Sequence, residues 1–577
     1  MIVVLFVAVI ALSPLKGQSQ EGMEAVMRLL DSEMEDMDGD EVERLSALLK
    51  RPVCLNHASH AELLASGLFS RYQVASLMDY RERSGEVMSF MELASVDGFS
   101  DDFVMRIRPF ISLEKRFSES RDRLDNEILV RSAVKRNGDI MKYSYDSRYK
   151  MAVGDMLAAS IGLSRSSDAS LWYPDNLTGY VEYKMTKTPA RLILGDFNAR
   201  FGQGLAMWNG MNLSSLYSPS SFMRRPSGLT ASGSVTGKYA FSGLASEFSL
   251  GNFIVSAMFA VPGIKQAGKR PDKVSLMPAA NLTYQFRAGQ CGLTHFAEFS
   301  GFGTALYIPS MKIAADVSVC HKGMDLFAEL AYEWVCHEFS SRGGVVFPLG
   351  DVVDAAAMLR MSRDEYALAL SAGVLTGRWM NIKGEDVSRR RLDGTVSADV
   401  VFYPEPKSDT QDHSLQLKLH TQWHYVVCES LRLSFRLTER IRSWGQGFRT
   451  DVRSDLHWNS ERFSASARLN LLRCRGTSFL AYAEGGCKFG RFALYLRQGV
   501  FIVDNWDDRI YVYERDAPGT FNVPAYYGRG VWTSLMTSWK FSRHGRLYCR
   551  AGAVSYPLMK EKKPGRAELR LQSVIDF

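Results

Sequence analysis

The chain has 577 residues, 46% of them hydrophobic and 23% charged, with a formal net charge of +7. This composition excludes a disordered chain, and the length exceeds one ordinary compact domain. Charge is unevenly divided: residues 1–126 carry 14 Lys+Arg against 22 Asp+Glu, a net of −8, and residues 127–577 carry 56 against 41, a net of +15, which points to two parts in different surroundings.

Residues 2–12, IVVLFVAVIAL, are continuously apolar and lead into Pro14, Lys16 and Gly17. Eleven apolar residues are too few to span a bilayer, which needs about 20. A cleaved export signal over 1–17 is expected instead. No later segment holds 18 apolar residues in a row, so an exported chain of this kind is a soluble protein or a barrel.

Residues 18–50 are expected to form an acidic helical segment. Val26, Leu29 and Leu30, then Val42, Leu45, Leu48 and Leu49, have the spacing of two short amphipathic helices around the acidic turn DMDGDE. That turn lacks the spacing and terminal Glu of a calcium loop. Over 51–113, Ser59…Glu62, Ser70…Gln73 and Ser89…Glu92 are capping boxes. Ser100 before Asp101 and Asp102 marks a fourth helix start. Four short helices should share the apolar residues Leu63, Leu64, Val74, Leu77, Met78, Leu93, Val104, Ile107 and Phe110 as one core.

Asn56-x-Ala58-Ser59, Tyr80-Arg81-Glu82-Arg83-x-Gly85 and Arg108-Pro109-Phe110-Ile111 resemble the tandem helix-hairpin-helix domain of the competence protein ComEA. In that family each hairpin carries Gly-hydrophobic-Gly, whose backbone N–H groups approach a DNA phosphate; glycine permits the approach because it has no side chain. Here the first hairpin aligns as Leu68-Phe69-Ser70, with Gly67 one position early. The second, Gly98-Phe99-Ser100, keeps only its first glycine. Residues 51–113 also carry a net charge of −2, which opposes phosphate binding. Gly67, Leu68, Phe69, Ser70, Gly98, Phe99 and Ser100 are thus weak candidates for nucleic-acid contact. A plug or a partner-docking role suits the domain better.

After a linker at 114–126 the period becomes two. Thr178–Met185, Arg191–Phe197, Phe241–Leu250 and Phe253–Val261 about the turn Gly251-Asn252, Asp325–Trp334, Ser414–His420 and Leu431–Leu437 all alternate. Even spacing of such runs indicates a sandwich series or a barrel. Three features select an all-β transmembrane barrel over 127–577. One face of the runs is charged and the other apolar. Aromatics are abundant, with 32 Phe, 24 Tyr and 10 Trp, as membrane interfaces require. The chain ends on an alternating strand, Arg566–Phe577, whose terminal Phe577 resembles the assembly signal of outer-membrane barrels. About 450 residues at about 10 per stave give roughly 20–26 antiparallel strands.

Gly195-Asp196-Phe197 with Phe201-Gly-Gln-Gly-Leu205, and Trp444-Gly-Gln-Gly-Phe448, place glycines where bulges or close backbone approach are expected within strands. Asp508–Glu514 and Pro524–Gly530 are also distinctive. With the hairpin domain, these segments resemble a poorly characterised family of outer-membrane proteins from the Bacteroides group, in which a ComEA-like domain precedes a barrel. The resemblance implies architecture, with the hairpin domain in the periplasm, and no activity.

The eight cysteines are scattered with no CxxC pair, and most read as small apolar residues in strands. His57 and His60 have no evident third ligand, so no metal is expected. No catalytic residue set and no cofactor motif stands out. The expected partners are outer-membrane lipid, the barrel-assembly machinery and a periplasmic protein. The leading expectation is a pore, transporter or assembly scaffold. DNA capture of the ComEA type and a barrel hydrolase are the alternatives.

Overall fold

A computed structural model describes residues 45, 48–49, 52–58, 63, 66–69, 71–96, 99, 103–104, 107–113 and 124–577, the last with breaks at 155, 167–173, 186–189, 210–218, 236–239, 262–273, 287, 303–304, 322–323, 350–352, 376–391, 408–412, 429, 446, 461, 521 and 560–562. The expected signal segment at 1–17, most of the acidic segment, the Ser59 capping box, the start at Ser100 and most of the linker lie outside these residues.

The front part is a small helical unit. The helix Arg71–Ser84 is followed by the single turn Phe90–Leu93 and the 3₁₀ turn Arg108–Phe110. Leu45, Leu55, Leu63, Val74, Leu77, Leu93, Val104, Ile107 and Phe110 are buried in one cluster. Its two ends are tied by the parallel pair Val53–Cys54 and Ile111–Ser112. Asn56 clamps the unit from within. Its Nδ2 donates to the Val87 and Leu113 carbonyls at 2.9 and 2.8 Å, and its Oδ1 accepts from the Val87 N–H at 2.9 Å. The Ser89 cap is real: Ser89 Oγ accepts from the Glu92 N–H at 3.1 Å. Glu92 Oε2 reaches back one residue further than a capping box requires, to the Met88 N–H at 2.7 Å.

The rear part is a closed antiparallel barrel of 24 staves. Each stave pairs with its neighbours in sequence. The last, Arg566–Asp576, returns to the first, Leu124–Asn137, from Asp576↔Glu127 to Arg566↔Asn137. Closure leaves no edge, which is the condition for a sheet in lipid. Outside the staves, the short strand Gly228–Ala231 pairs with Phe197–Arg200. No helix among the described residues is long and apolar enough to cross a membrane.

Alternation sorts the side chains. Outward positions between the ends carry exposed Leu326, Leu330, Leu368, Leu370, Leu469, Leu471, Leu569 and Leu571. Exposed aromatics collect near both ends. At the end holding the first residue of stave Leu124–Asn137 these include Phe253, Tyr284, Trp458, Phe463, Phe489 and Trp539. At the far end they include Tyr143, Trp334, Phe339, Tyr366, Phe402 and Phe448. An apolar band between two aromatic girdles is the outer surface of a membrane barrel. The first end has mainly short turns, such as 251–252 and 490–491, with 376–391 the exception. The far end has the long connections 201–240 and 504–527.

One expectation from the glycines holds and one is corrected. Gly195 sits within a stave at φ +103°, and a Cβ there would meet the Gly179 carbonyl oxygen at 2.2 Å. Beyond it Asp196 takes over from the backbone ladder, accepting from the Gly179 N–H at 3.0 Å and the Ser242 hydroxyl at 2.5 Å. Gly202, Gly204 and Gly445 of the two Gly-Gln-Gly runs, in contrast, lie between strands and have positive φ. Most cysteines do lie in strands, but Cys336 and Cys474 lie in turns.

Candidate functional site in the barrel lumen

Two far-end connections fold inward and occupy the lumen. The connection 504–527 runs along the inner wall and is bonded to one stave after another. The Asp508 carboxylate accepts from the N–H groups of Arg475 and Gly476, both at 3.0 Å. Arg449 donates to the Asp507 and Arg509 carbonyls at 2.8 and 3.3 Å. Arg515 meets wall Glu484 at 2.5 Å, and wall Arg497 meets both Glu484 and the Tyr513 carbonyl. Glu514 pairs with wall Arg550 and accepts from Tyr526; Asp516 pairs with wall Arg570. Gln572 and Arg131 then hold the Pro518 and Gly519 carbonyls. Arg497, Arg550, Glu484, Glu514 and Asp508 are all buried. Burial is tolerable because each charge finds charged or hydrogen-bonding partners.

Apolar packing supports the same connection. Ile510, Val512 and Tyr526 are buried against Leu472, Leu480, Tyr482, Phe501 and Trp532. The Tyr526 and Trp532 rings lie 4.3 Å apart between centroids, and Phe501 and Tyr526 lie 5.1 Å apart.

The connection 201–227, described at 201–209 and 219–227, is held differently. Buried Glu329, at the middle of stave Met324–Glu333, accepts from the backbone N–H groups of Gln203 (2.5 Å), Leu205 (3.2 Å) and Ala206 (3.3 Å). The glycines of Phe201–Leu205 make this possible, since their positive φ curls successive N–H groups around one carboxylate. Wall Arg342 donates to the Phe222 carbonyl at 3.0 Å, and Phe222 is buried against Phe327, Ala356 and Met358. At its far reach, Arg225 Nη1 donates to the Gly67 carbonyl at 3.1 Å. A barrel connection therefore touches the helical unit at Gly67.

The hairpin candidates divide. Gly67 is half-buried and its carbonyl is taken by Arg225. Leu68, Phe69 and Phe99 are buried in the core of the helical unit, with the Phe69 and Phe99 rings 5.9 Å apart. Ser70, Gly98 and Ser100 lie outside the described residues. Phe577 is exposed on the outward face, and its backbone joins the closing ladder: its N–H donates to the Asn126 carbonyl at 2.9 Å, and its carbonyl accepts from the Asn126 N–H at 2.8 Å. His57 lies 3.9 Å from Glu86, and among the described residues no three His, Cys, Asp or Glu side chains form a metal-binding group. Outside the barrel, Tyr80 donates to Glu92 at 2.5 Å. That bond lowers the Glu92 carboxyl below the ordinary Glu value and raises the Tyr80 phenol.

Sequence reading missed Glu329, Glu484 and the wall arginines as a set. Each is one more polar residue on an alternating strand, and their partners lie up to 441 residues away.

No family model and no curated protein matches the chain. Solved structures similar to it include the siderophore receptor PirA of Pseudomonas aeruginosa, at 8% identity over 79% of this chain and 81% of that one, TM-score 0.42. The ferric yersiniabactin receptor FyuA of Yersinia pestis gives 10% identity over 78% and 80%, TM-score 0.37. The P pilus usher PapC pore gives 9% over 78% and 99%, TM-score 0.31.

Proposed function

We propose that this chain is an outer-membrane pore or transporter. In this reading the apolar band faces outer-membrane lipid and the helical unit stands in the periplasm at the short-turn end. The lumen is lined by its two inward connections, of which 201–227 regulates it. The observation that carries the reading is the closed barrel whose charged interior is crossed by 201–227 and 504–527, the former bonded to the helical unit through Arg225 and Gly67. The helical unit, with its net charge of −2, is read as a plug or as a dock for a periplasmic protein, and the barrel-assembly machinery as the reader of the strand ending in Phe577.

Planar-bilayer recordings test this, comparing the full chain with a form lacking residues 18–123. The full chain should be mostly closed and the shortened form should conduct. No channel from either form, despite heat-modifiable folded barrels, would reject the pore.

A further inference from the structure

Cross-strand register places like charges face to face on one sector of the lumen wall. Between staves Leu431–Arg442 and Phe448–Asn459, Arg436 stands opposite Arg453 and Arg440 opposite Arg449. Directly opposed like charges destabilise a sheet. Two such rungs, four residues apart along the strand, lie about 13 Å apart at 3.3 Å per residue. Arg442 continues the same face, donating to Gln416 at 2.7 Å and stacking on Trp444.

On the described residues of this sector, cations outnumber carboxylates. The lumen-facing positions of Ser414–Cys428, Leu431–Arg442 and Phe448–Asn459 hold seven cations, Lys418, Arg432, Arg436, Arg440, Arg442, Arg449 and Arg453, and two carboxylates, Asp451 and Asp455. Asp455 is shared between Arg453 and Arg468, at 2.6 Å from each. Lys418 stands opposite Asp399, which also faces Arg360 at 3.5 Å. Arg449 is held by carbonyls, which orient it without neutralising it. Asp507 meets Arg475 at 3.1 Å, and Asp508 is engaged by backbone N–H groups. Arg436 and Arg440 are both only partly buried.

We propose that this sector is a binding site for an oligo-anionic solute, one carrying several phosphate or carboxylate groups. Guanidinium forks bind both groups in bidentate fashion. The inference names the substrate class of the pore proposed above and rests on that reading, while its test does not require conduction.

The probes are inorganic tripolyphosphate and citrate, titrated calorimetrically into the full chain in a zwitterionic detergent at low salt. Tripolyphosphate alone would mark a phosphate site, and both probes a general oligo-anion site; either supports the proposal. Arg436→Gln with Arg440→Gln should weaken binding at least tenfold. The double lysine variant, which keeps the charge and loses the forks, should bind more weakly than the native chain and more tightly than the glutamine form, and Arg363→Gln on the exposed rim should stay within about threefold of the native chain. Heat-modifiable migration verifies that each variant is folded. No binding, or equal binding by the native and glutamine forms, would overturn the site. Conduction with no binding would retain the pore and reject the site; binding with no conduction would do the reverse.

Discussion

The two connections inside the lumen are held by opposite chemistries. Connection 504–527 brings its own carboxylates, Asp508, Glu514 and Asp516, to wall arginines and backbone N–H groups, and adds Arg515 against Glu484. Connection 201–227 brings mainly backbone N–H groups to the single wall carboxylate Glu329. The first is held mainly by several buried charge pairs; the second has one wall carboxylate, Glu329, supported by the Arg342–Phe222 bond and the burial of Phe222. Breaking a single buried ion pair costs about 3–5 kcal/mol, so 504–527 is a fixed lining. Connection 201–227 is expected to be the movable element, judged from its described residues 201–209 and 219–227, and it is also the one that touches the helical unit.

The largest effect should come from breaking the fixed lining. Glu514→Gln removes one of the two carboxylates paired with buried Arg550 and leaves Glu568 at 3.0 Å as the other, at a cost of up to about 3–5 kcal/mol. It should lower the temperature at which the barrel unfolds on heat-modifiable gels without raising conductance, because the other anchors remain. A conducting Glu514→Gln channel would erase the contrast between the two connections.

Glu329→Gln should act locally and release the movable element. Losing the charge that three N–H groups address costs roughly 2–3 kcal/mol, or about 30- to 160-fold in undocking. Hydrogen exchange of the Gln203, Leu205 and Ala206 amides should accelerate by that factor while the 504–527 amides keep their protection. Equal acceleration in both connections would mean that they open as one.

A smaller effect is expected at the junction with the helical unit. Arg225→Ala removes one exposed bond to a carbonyl, worth about 1 kcal/mol or less. Exchange should rise in 219–227 and around Gly67, with no change at 504–527.

The smallest effect is a pH response confined to the helical unit. Because the Tyr80 bond holds the folded Glu92 pKa down, its stabilisation is complete above the unfolded Glu value of about 4.3. It is lost as pH falls through the depressed folded value. A carboxyl-detected NMR titration should show Tyr80→Phe returning Glu92 toward the ordinary value. An unchanged titration would remove the Tyr80–Glu92 bond from the account.

The barrel was legible because alternation is a local signal. Arg566–Phe577, Leu431–Leu437 and the Gly251-Asn252 turn each announce their structure within a dozen residues. The Ser89 cap was legible for the same reason. The lumen was not. Glu329 lies in a stave, and its partners are backbone groups more than 120 residues earlier in the chain. No side-chain pattern at Gln203, Leu205 or Ala206 records that role. Phe201–Leu205 suggested glycine in a strand because it directly follows one, whereas its positive φ values bend the chain around a carboxylate. Asp508–Glu514 stood out in composition, but its meaning depends on Arg497 and Arg550, which only barrel closure brings near.

The most direct test is the open probability of the native, Glu329→Gln and Glu514→Gln chains in planar bilayers, recorded under identical voltage and salt. The account predicts a mostly closed native channel, frequent full openings in Glu329→Gln, and native-like closure in Glu514→Gln. Equal open probability in the native and Glu329→Gln chains, with both barrels folded, would contradict it.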